Sequence, residues 1–166
     1  MVTELGDIEI EVDVARAPIS AANFLKYVDA GKYDGGRFHR TVRPDNQKAH
    51  PVPIGVIQGA SAARGADDLF PPVPLERTRD TGLQHRDGTL SLARAGVDTA
   101  TDHFFICIGD QPELDYGGRR NADGQGFAAF GRVVSGMDVV RKIQAAPAKG
   151  ETLTPVIGII RVKRLP

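Results

Sequence analysis

Short runs of alternating apolar and polar residues recur along the chain and predict a mainly β protein. The opening run, MVTELGDIEIEV, reads as one strand that places Ile8, Ile10 and Val12 on one face and acidic residues on the other. Later runs of the same kind are TLSLAR (89–94), HFFICI (103–108), FAAFGRVV (127–134) and VIGIIRVKRL (156–165). Nineteen glycines and eleven prolines separate the runs, which is typical of β sandwiches and barrels.

A helix is predicted over residues 18–30, where apolar side chains repeat at intervals of three and four. The positions on its apolar face are Ala21, Phe24, Leu25 and Val28. Pro18 suits the first turn of a helix and Gly31 suits its end, so both boundaries are marked.

A second helix is predicted in the segment SGMDVVRKIQAAP, residues 135–147. Met137, Val140 and Ile143 form its apolar stripe. Ser135 is the expected N-cap and Pro147 the expected stop.

The order of these elements is strand, helix, several strands, helix and terminal strand. A sheet closed on itself, with a helix over each open end, would protect the sheet edges and bury both apolar stripes. We therefore expect a single domain over residues 1–166, built as a closed antiparallel β-barrel capped by two α-helices.

The stretch GGRFHRTVRP (35–44) contains an arginine at an unexpected place in a predicted strand. Strict alternation would put Phe38, Arg40 and Val42 on one face and His39 and Thr41 on the other. An arginine is thus expected to point to the same side as two apolar residues.

The longest irregular segment is 43–75, which contains six prolines. A loop of this length in a small domain is often functional, but an ordinary surface excursion has the same composition. The segment is expected to lie outside the barrel.

Composition narrows the function classes. The chain has 166 residues, 41% hydrophobic and 25% charged, with 21 basic residues against 21 acidic ones. Such a neutral, mixed surface does not indicate nucleic acid or an anionic membrane as a partner. No apolar run approaches the roughly 20 residues needed to span a bilayer, so no membrane partner is expected.

Two features bear on the compartment. The chain starts directly with a predicted strand, so a cytoplasmic protein is expected, or a periplasmic one if a leader was removed. The single Cys107 excludes an internal disulfide framework and fits a reducing compartment.

Most familiar catalytic patterns are missing from the sequence. The four histidines do not occur at metal-ligand spacing, so neither a metal nor a cofactor is expected. The serines lack a partner pattern for nucleophilic catalysis, and the glycine-rich stretches lack the strand-to-helix setting of a phosphate loop.

Three features remain unexplained by these exclusions. They are Arg40 among apolar neighbours, Gln58 inside the predicted apolar strand GVIQGA, and the adjacent pair Phe104 and Phe105. Taken singly, each has an ordinary explanation: an arginine at a sheet rim, a glutamine paired with backbone, and two core aromatics.

Together these features match a known pattern, because the sequence resembles the cyclophilin family of peptidyl-prolyl cis–trans isomerases over nearly its whole length. The matching blocks are APISAANFLKYVDAGKYDGGRFHRTV, GVIQGA, GTLSLARAG, HFFI followed by PELD, and FAAFGRVVSGMDVVRKI. They are more similar to bacterial members than to eukaryotic cytosolic ones.

The resemblance implies an eight-stranded antiparallel barrel capped by two helices. It implies an isomerase that acts on Xaa–Pro bonds in unfolded or extended polypeptides, assists folding and needs no cofactor. The alternative is a proline-peptide-binding or chaperone module of the same shape with weak or no isomerase activity. A monomer is the default expectation.

The resemblance also implies roles for individual residues. Arg40 would be the catalytic hydrogen-bond donor, and Gln58 would hold the substrate backbone. The remaining implied substrate-binding residues are Phe105 and Leu114 in the proline pocket, Phe127 beside it, Ala93, Arg94 and Ala95 along the groove, and His103 before the two phenylalanines.

Some positions depart from the family pattern. An insertion, DNQKAHPVPI, ends at Gly55, where relatives carry a pocket phenylalanine, and Val56 stands where methionine is common. His103 replaces a glutamine and Arg94 an asparagine. Glu113 replaces an aromatic residue, which argues against cyclosporin binding. These changes predict a pocket that is shallower on one wall, with the 43–75 segment near the groove.

Overall fold

The computed structural model describes residues 1–47 and 50–166. Its strands are β1 (Val2–Thr3), β2 (Gly6–Asp7), β3 (Glu9–Val12), β4 (Arg37–Val42), β5 (Val56–Ala60), β6 (Thr89–Leu92), β7 (Phe104–Cys107), β8 (Ala128–Ser135), β9 (Ala148–Lys149) and β10 (Thr152–Arg161). Its helices are α1 (Pro18–Asp29), α2 (Thr78–Thr81) and α3 (Met137–Ala145), with short 3₁₀ turns at Ala66–Asp68 and Pro112–Leu114.

The strands form one antiparallel sheet in the order β2-β1-β10-β4-β5-β7-β6-β8-β3, with β9 paired to β10. β2 and β3 are two halves of the run 6–12; β2 pairs with β1 and β3 with β8, so this run joins the two ends of the sheet into a nearly closed barrel. Counting β2 and β3 as one strand, and setting aside the two-residue β9, leaves eight strands. The predicted mainly β barrel capped by two helices is therefore confirmed.

The opening run is not the single strand that was predicted. The chain turns between β1 and β2, where the Thr3 hydroxyl donates to the carbonyl of Gly6 at 2.7 Å and accepts from the backbone N–H of Leu5 at 3.2 Å. The expected apolar face is nevertheless correct, since Ile8 is buried and Ile10 packs against the core.

Helix α1 ends as its sequence indicates. Gly31 adopts φ +65°, and its N–H donates to the carbonyl of Val28 while that of Lys32 donates to Tyr27. These two bonds form the Schellman arrangement that a glycine after a helix favours. Of the predicted face, Leu25 is only half-buried, and Tyr27 is buried in addition.

The predicted N-cap of α3 is wrong. Ser135 is the last residue of β8, and the helix starts after Gly136, which has φ +92°. A Cβ at Gly136 would collide with the carbonyl oxygen of Asp7 on β2, so close packing of the helix start on the barrel requires glycine. The predicted stripe holds, because Val140 and Ile143 are fully buried.

The main core fills the barrel and the space beneath α1. Phe24 lies 5.6 Å from Phe104 and 5.2 Å from Phe130, and Phe38 lies 5.7 Å from Phe104, all measured between ring centroids. Aromatic pairs at these separations add to the stability gained from burial. α3 contributes Val140 to the same core.

The segment 43–75 is not one loop. Its middle, Val56–Ala60, is a barrel strand, and its second half packs on α1, where the ring of Phe70 lies 4.8 Å from that of Tyr27. None of residues 61–75 lines the cavity described below, so the expectation of a loop near a groove holds for 43–55 alone. Two residues of that part, 48 and 49, lie outside the described residues.

Over residues 1–47 and 50–166, every helix is too short or too polar to cross a membrane.

Candidate functional site

Strand register brings three of the predicted site residues into one row across the sheet. Arg40 on β4 lies opposite Gln58 on β5, and Gln58 lies opposite Phe105 on β7. Residues directly opposite one another on antiparallel strands point to the same face. The row therefore gathers a guanidinium, an amide and an aromatic ring.

Phe38 does not share this face, contrary to the strict alternation expected for β4. The register shifts between Phe38 and Arg40, so Phe38 pairs with Gly59 and points into the barrel core. A β-bulge at His39 supplies the extra residue that turns Arg40 to the other side. Val42 keeps the expected relation to Arg40 and packs in the apolar cluster under the site.

Arg40 is held by two partners. Its Nη1 donates to Oε1 of Gln58 at 3.0 Å, Nε donates to Oε2 of Glu151 at 2.7 Å, and Nη2 forms an ion pair with the same oxygen at 2.6 Å. The Arg40 side chain is 36% exposed and that of Glu151 29%. Glu151 lies between β9 and β10, 111 residues away in sequence, and was not predicted.

A small apolar cluster forms the floor beside Arg40. Its members are Val42, Ile54, Val56, Phe105, Cys107 and Leu114, with Ala93 and Phe127 packed against it. The rings of Phe105 and Phe127 meet edge to face at 5.4 Å. Burial raises the pKa of the Cys107 thiol well above its usual range, so this cysteine contributes packing rather than reactivity.

The cavity above this cluster has a volume of about 260 Å³. Its walls include seven of the nine predicted site residues: Arg40, Gln58, Ala93, Arg94, Phe105, Leu114 and Phe127. Ala95 and His103 do not line it, and Ala95 lies in an exposed turn. Sequence reasoning missed His50, Ile54, Arg120 and Asn121, which line it as well.

Ile54 occupies the wall where a shallower pocket was expected. A Cβ at Gly55 would lie 2.8 Å from the carbonyl oxygen of Ile108, so position 55 has no room for a side chain. Ile54, which is 8% exposed, packs in the apolar cluster instead. Its backbone N–H donates to Oε1 of the buried Gln47 at 3.0 Å, which anchors the inserted segment.

Arg94 is part of the wall rather than a free groove residue. Its two Nη atoms donate to the two carboxylate oxygens of Asp123 at 2.8 and 2.9 Å, and Nε donates to the carbonyl of Gly126. The side chain is 1% exposed and its guanidinium lies 5.1 Å from the Phe127 ring centre. Arg94 thereby fixes the turn that carries Phe127.

A buried row of hydrogen-bonded side chains, Ser91, His85 and Asp115, lies beneath the floor of the cavity. Nδ1 of His85 lies 2.6 Å from Oδ1 of Asp115, and Nε2 lies 2.9 Å from Oγ of Ser91. This geometry resembles a hydrolytic triad, yet the side chains of His85 and Ser91 are inaccessible. The His85 ring instead stacks on Phe105, with 5.9 Å between the ring centroids, so these hydrogen-bonded side chains orient that phenylalanine.

His103 contacts the site through Gln58. The amide nitrogen of Gln58 lies 3.2 Å from Nδ1 of His103, and the His103 ring lies 5.1 Å from that of His39. Burial, then the neighbouring His103, lowers the pKa of His39 from 6.5 to about 4. His39 is therefore neutral at pH 7. The Gln58 amide has a partner at each end, since its oxygen accepts from Arg40 and its nitrogen contacts His103.

Within 1–47 and 50–166, no three histidine, cysteine or carboxylate side chains are grouped so that they could hold a metal ion. A larger cavity, of about 730 Å³, lies between β3, residues 82–89 and β8, and includes none of the predicted site residues.

Comparisons with known proteins assign the chain to a family. The family model for the cyclophilin type peptidyl-prolyl cis-trans isomerase/CLD matches residues 1–164. Peptidyl-prolyl cis-trans isomerase A of Dickeya dadantii is 36% identical over 86% of this chain and 68% of its own length. A peptidyl-prolyl cis-trans isomerase of Acinetobacter baylyi is 38% identical over 89% of this chain and 71% of its own length.

A solved structure agrees in fold. It is a cyclophilin type peptidyl-prolyl cis-trans isomerase of Cryptosporidium parvum, determined in the presence of the dipeptide Ala-Pro. The match has a TM-score of 0.75 at 22% identity and covers 97% of this chain and 94% of that one. The resemblance noted in the sequence is thereby confirmed, and the chain belongs to the family of cyclophilin-type peptidyl-prolyl cis–trans isomerases.

Proposed function

We propose that this protein accelerates rotation about Xaa–Pro peptide bonds, with Arg40 donating a hydrogen bond to the proline nitrogen. The observation that carries the proposal is the Arg40 guanidinium, tied to Gln58 and placed at the wall of a cavity of about 260 Å³ whose floor is apolar. The family membership of the chain and the activity for which its bacterial relatives are named point the same way.

The chemical task is to weaken the partial double bond of an amide. Resonance gives the peptide C–N bond a rotation barrier of about 18–20 kcal/mol. Exchange before proline takes roughly tens to hundreds of seconds without a catalyst. A turnover of about 10–1000 per second therefore requires the barrier to fall by roughly 4–7 kcal/mol.

A donor aimed at the proline nitrogen lowers this barrier selectively. In the planar amide the nitrogen lone pair is delocalised, and it becomes available as an acceptor only when the bond twists. A hydrogen bond to that nitrogen therefore stabilises the transition state more than the ground state, as catalysis requires. Arginine suits the role because it keeps its charge and presents several fixed N–H donors.

The other site residues have supporting roles in this proposal. The proline ring lies against Phe105, Leu114 and Phe127, which exclude water and make the donor more effective. Gln58 holds the guanidinium through Oε1 and the substrate backbone through the N–H that His103 leaves available. Residues before the proline follow Ala93 and the exposed Ala95.

The substrates we propose are proline-containing segments of unfolded or extended polypeptides, whose slow Xaa–Pro exchange limits folding. We also propose that residues 1–166 act as one domain and as a monomer. Cyclosporin should bind weakly, because position 113 offers no aromatic surface and Oε1 of Glu113 accepts a hydrogen bond from Arg119 at 2.7 Å.

A second function deserves a test because of one contact. Glu151 accepts a hydrogen bond from Nε of Arg40 and forms an ion pair with Nη2, which balances the charge of Arg40 and would suit a module that binds proline segments and turns them over slowly.

Exchange spectroscopy on a short Ala–Pro peptide, with the protein far below the peptide concentration, separates the two functions. We expect cis–trans exchange to speed up in proportion to protein concentration. Saturable binding without faster exchange would favour the binding module, and neither binding nor faster exchange would contradict both.

A further inference from the structure

Three arginines, and no acidic residue, are among the residues lining the cavity in the part of the chain that the structure describes. They are Arg40, Arg94 and Arg120. Two of them have a carboxylate of their own: Glu151 binds Arg40, and Asp123 binds Arg94 through both oxygens. Their positive charges are therefore balanced within the protein.

Arg120 is different. Its Nη1 donates to two neutral oxygens, Oε1 of Gln47 at 3.1 Å and the carbonyl of Val52 at 2.7 Å. Among residues 1–47 and 50–166, no carboxylate lies within ion-pair distance of its guanidinium. Burial, and then the positive charge of Arg40, lower the pKa of Arg120, and Glu151, which lies beyond ion-pair distance, raises it by less.

Hydrogen bonds fix the position of Arg120 at both its side chain and its backbone. Gln47 is 5% exposed, donates to the carbonyl of Arg43 at 2.8 Å and accepts from the N–H of Ile54 at 3.0 Å. Its Nε2 also donates to the carbonyl of Ile54, and its Oε1 accepts from Arg120, whose backbone N–H donates to the carbonyl of Glu113. Both ends of the arginine are thus anchored, and Nε and Nη2 stay available at the cavity wall.

The neighbouring arginine provides a contrast. Arg119 is exposed, and its guanidinium and backbone N–H both bind Glu113. Two adjacent arginines therefore differ in the property that matters for a ligand. One is paired with a carboxylate outside the cavity, and the other faces the cavity with no carboxylate bound to its guanidinium.

We propose that Arg120 is a specificity-determining residue that selects proline segments carrying a side-chain carboxylate beside the proline. This inference rests on the proposed function, since it assumes that the cavity takes a proline segment. A carboxylate would supply the missing counter-charge and accept from the unused N–H donors, and charge-assisted bonds of this kind are stronger than neutral ones. A lysine at the same place would be repelled.

The test uses peptides with acetylated and amidated ends, so that a side chain is the sole source of a carboxylate. One series places Glu, Gln or Lys either at the position directly before the proline or at the position directly after it. We expect at least one position at which Glu gives a KM about fivefold lower than Gln, with kcat unchanged and Lys worst, because the contact acts on binding. Equal KM values for the Glu, Gln and Lys peptides at every position would overturn the proposal.

Variants assign the preference. Arg120→Gln should have the same KM for the Glu and Gln peptides, and Arg120→Lys should keep part of the preference for Glu. The matched control Arg119→Gln should show the preference of the parent. A preference that survives in a folded Arg120→Gln protein would overturn the assignment. If that variant does not fold, the preference of the parent protein for Glu is measured at increasing ionic strength. The preference should shrink as ionic strength rises, and a preference insensitive to salt would refute an ionic contact.

Peptide affinities, measured by calorimetry, keep this inference separate from the isomerase proposal. Tighter binding of the Glu peptide without faster exchange would support Arg120 and reject the isomerase. Faster exchange of all peptides with no difference in affinity would support the isomerase and reject Arg120.

Discussion

At the scale of single residues, the contact that most affects the proposed chemistry is the ion pair between Arg40 and Glu151. A guanidinium has five N–H donors; one of them donates to Glu151 and one to Gln58, and Nη2 forms the ion pair with Glu151. N–H donors on the Nη atoms therefore remain for a substrate. Because the Arg40 side chain is 36% exposed, these partners decide where those donors point.

Replacing Glu151 tests whether this contact orients Arg40 or competes for it. We expect Glu151→Ala to lower kcat/KM on a proline peptide about fivefold, because a free arginine samples many rotamers and loses its aim. Glu11→Ala is the matched control, since Glu11 forms a similar pair with Arg132 on β8, away from the cavity, and should leave kcat/KM unchanged. A rise in kcat/KM for Glu151→Ala would show competition instead.

The pH dependence of stability contains a contribution from His39. Its pKa is about 4 in the folded protein and 6.5 when unperturbed, so the unfolded state binds more protons at mildly acidic pH. The free energy of unfolding should therefore fall as the pH drops from about 6.5 to about 4, and level off below that range as far as this residue is concerned.

Urea midpoints at pH 7.5 and pH 5 measure this contribution. We expect the midpoint to fall less between the two pH values in His39→Gln than in the parent. An identical fall in both proteins would contradict the account of His39.

Sequence reasoning at this scale found side chains that are chemically conspicuous. Arg40, Gln58 and Phe105 could be predicted because their types are unusual or characteristic at those places. Glu151 could not be predicted, because its role comes from a contact across 111 residues that only the folded sheet creates.

At the scale of elements, helix α1 shows how a distant side chain completes a local structure. No residue before Pro18 supplies a side-chain cap. Instead, the two carboxylate oxygens of Glu76 accept from the backbone N–H groups of Ile19 at 3.0 Å and Ser20 at 2.7 Å. A negative charge at this end is also favourable to the helix dipole.

Removing this cap should weaken the whole protein. We expect Glu76→Ala to lower the free energy of unfolding by about 1–2 kcal/mol, the usual effect of losing an N-cap. Glu76→Gln keeps an acceptor oxygen and should lose less. Equal stability of Glu76→Ala and the parent in urea unfolding would contradict this role.

Element boundaries were predictable where the signal is local. Pro18 and Gly31 mark both ends of α1 in the sequence as in the structure. The bulge at His39 and the start of α3 after Gly136 were not predictable, since each depends on a neighbouring strand. Periodicity describes one element at a time and contains no information on its neighbours.

At the scale of the molecule, the barrel was predictable because its cause is distributed over the chain. Many short apolar runs and two helical stripes can bury their apolar faces together in few ways, and one core cluster now extends from Ile8 to Val162. The 43–75 segment was described less well, because its prolines suggested one irregular stretch although the apolar strand GVIQGA lies within it, and because the packing of Phe70 on α1 depends on a distant element.

The barrel also explains why the site lies where it does. Three adjacent strands, β4, β5 and β7, each contribute one residue to the row that holds Arg40, Gln58 and Phe105. A site built across paired strands is more rigid than one built on loops, which favours a donor that must be aimed before the substrate twists.

The most direct test of the account is the rate of cis–trans exchange of an Xaa–Pro peptide with Arg40→Ala, measured together with peptide affinity. We predict that kcat/KM falls about tenfold or more, as expected for a lost transition-state donor, while affinity changes little. Arg37→Ala is the control, because Arg37 is an exposed arginine on the same strand. Equal kcat/KM for a folded Arg40→Ala protein and the parent would contradict the account.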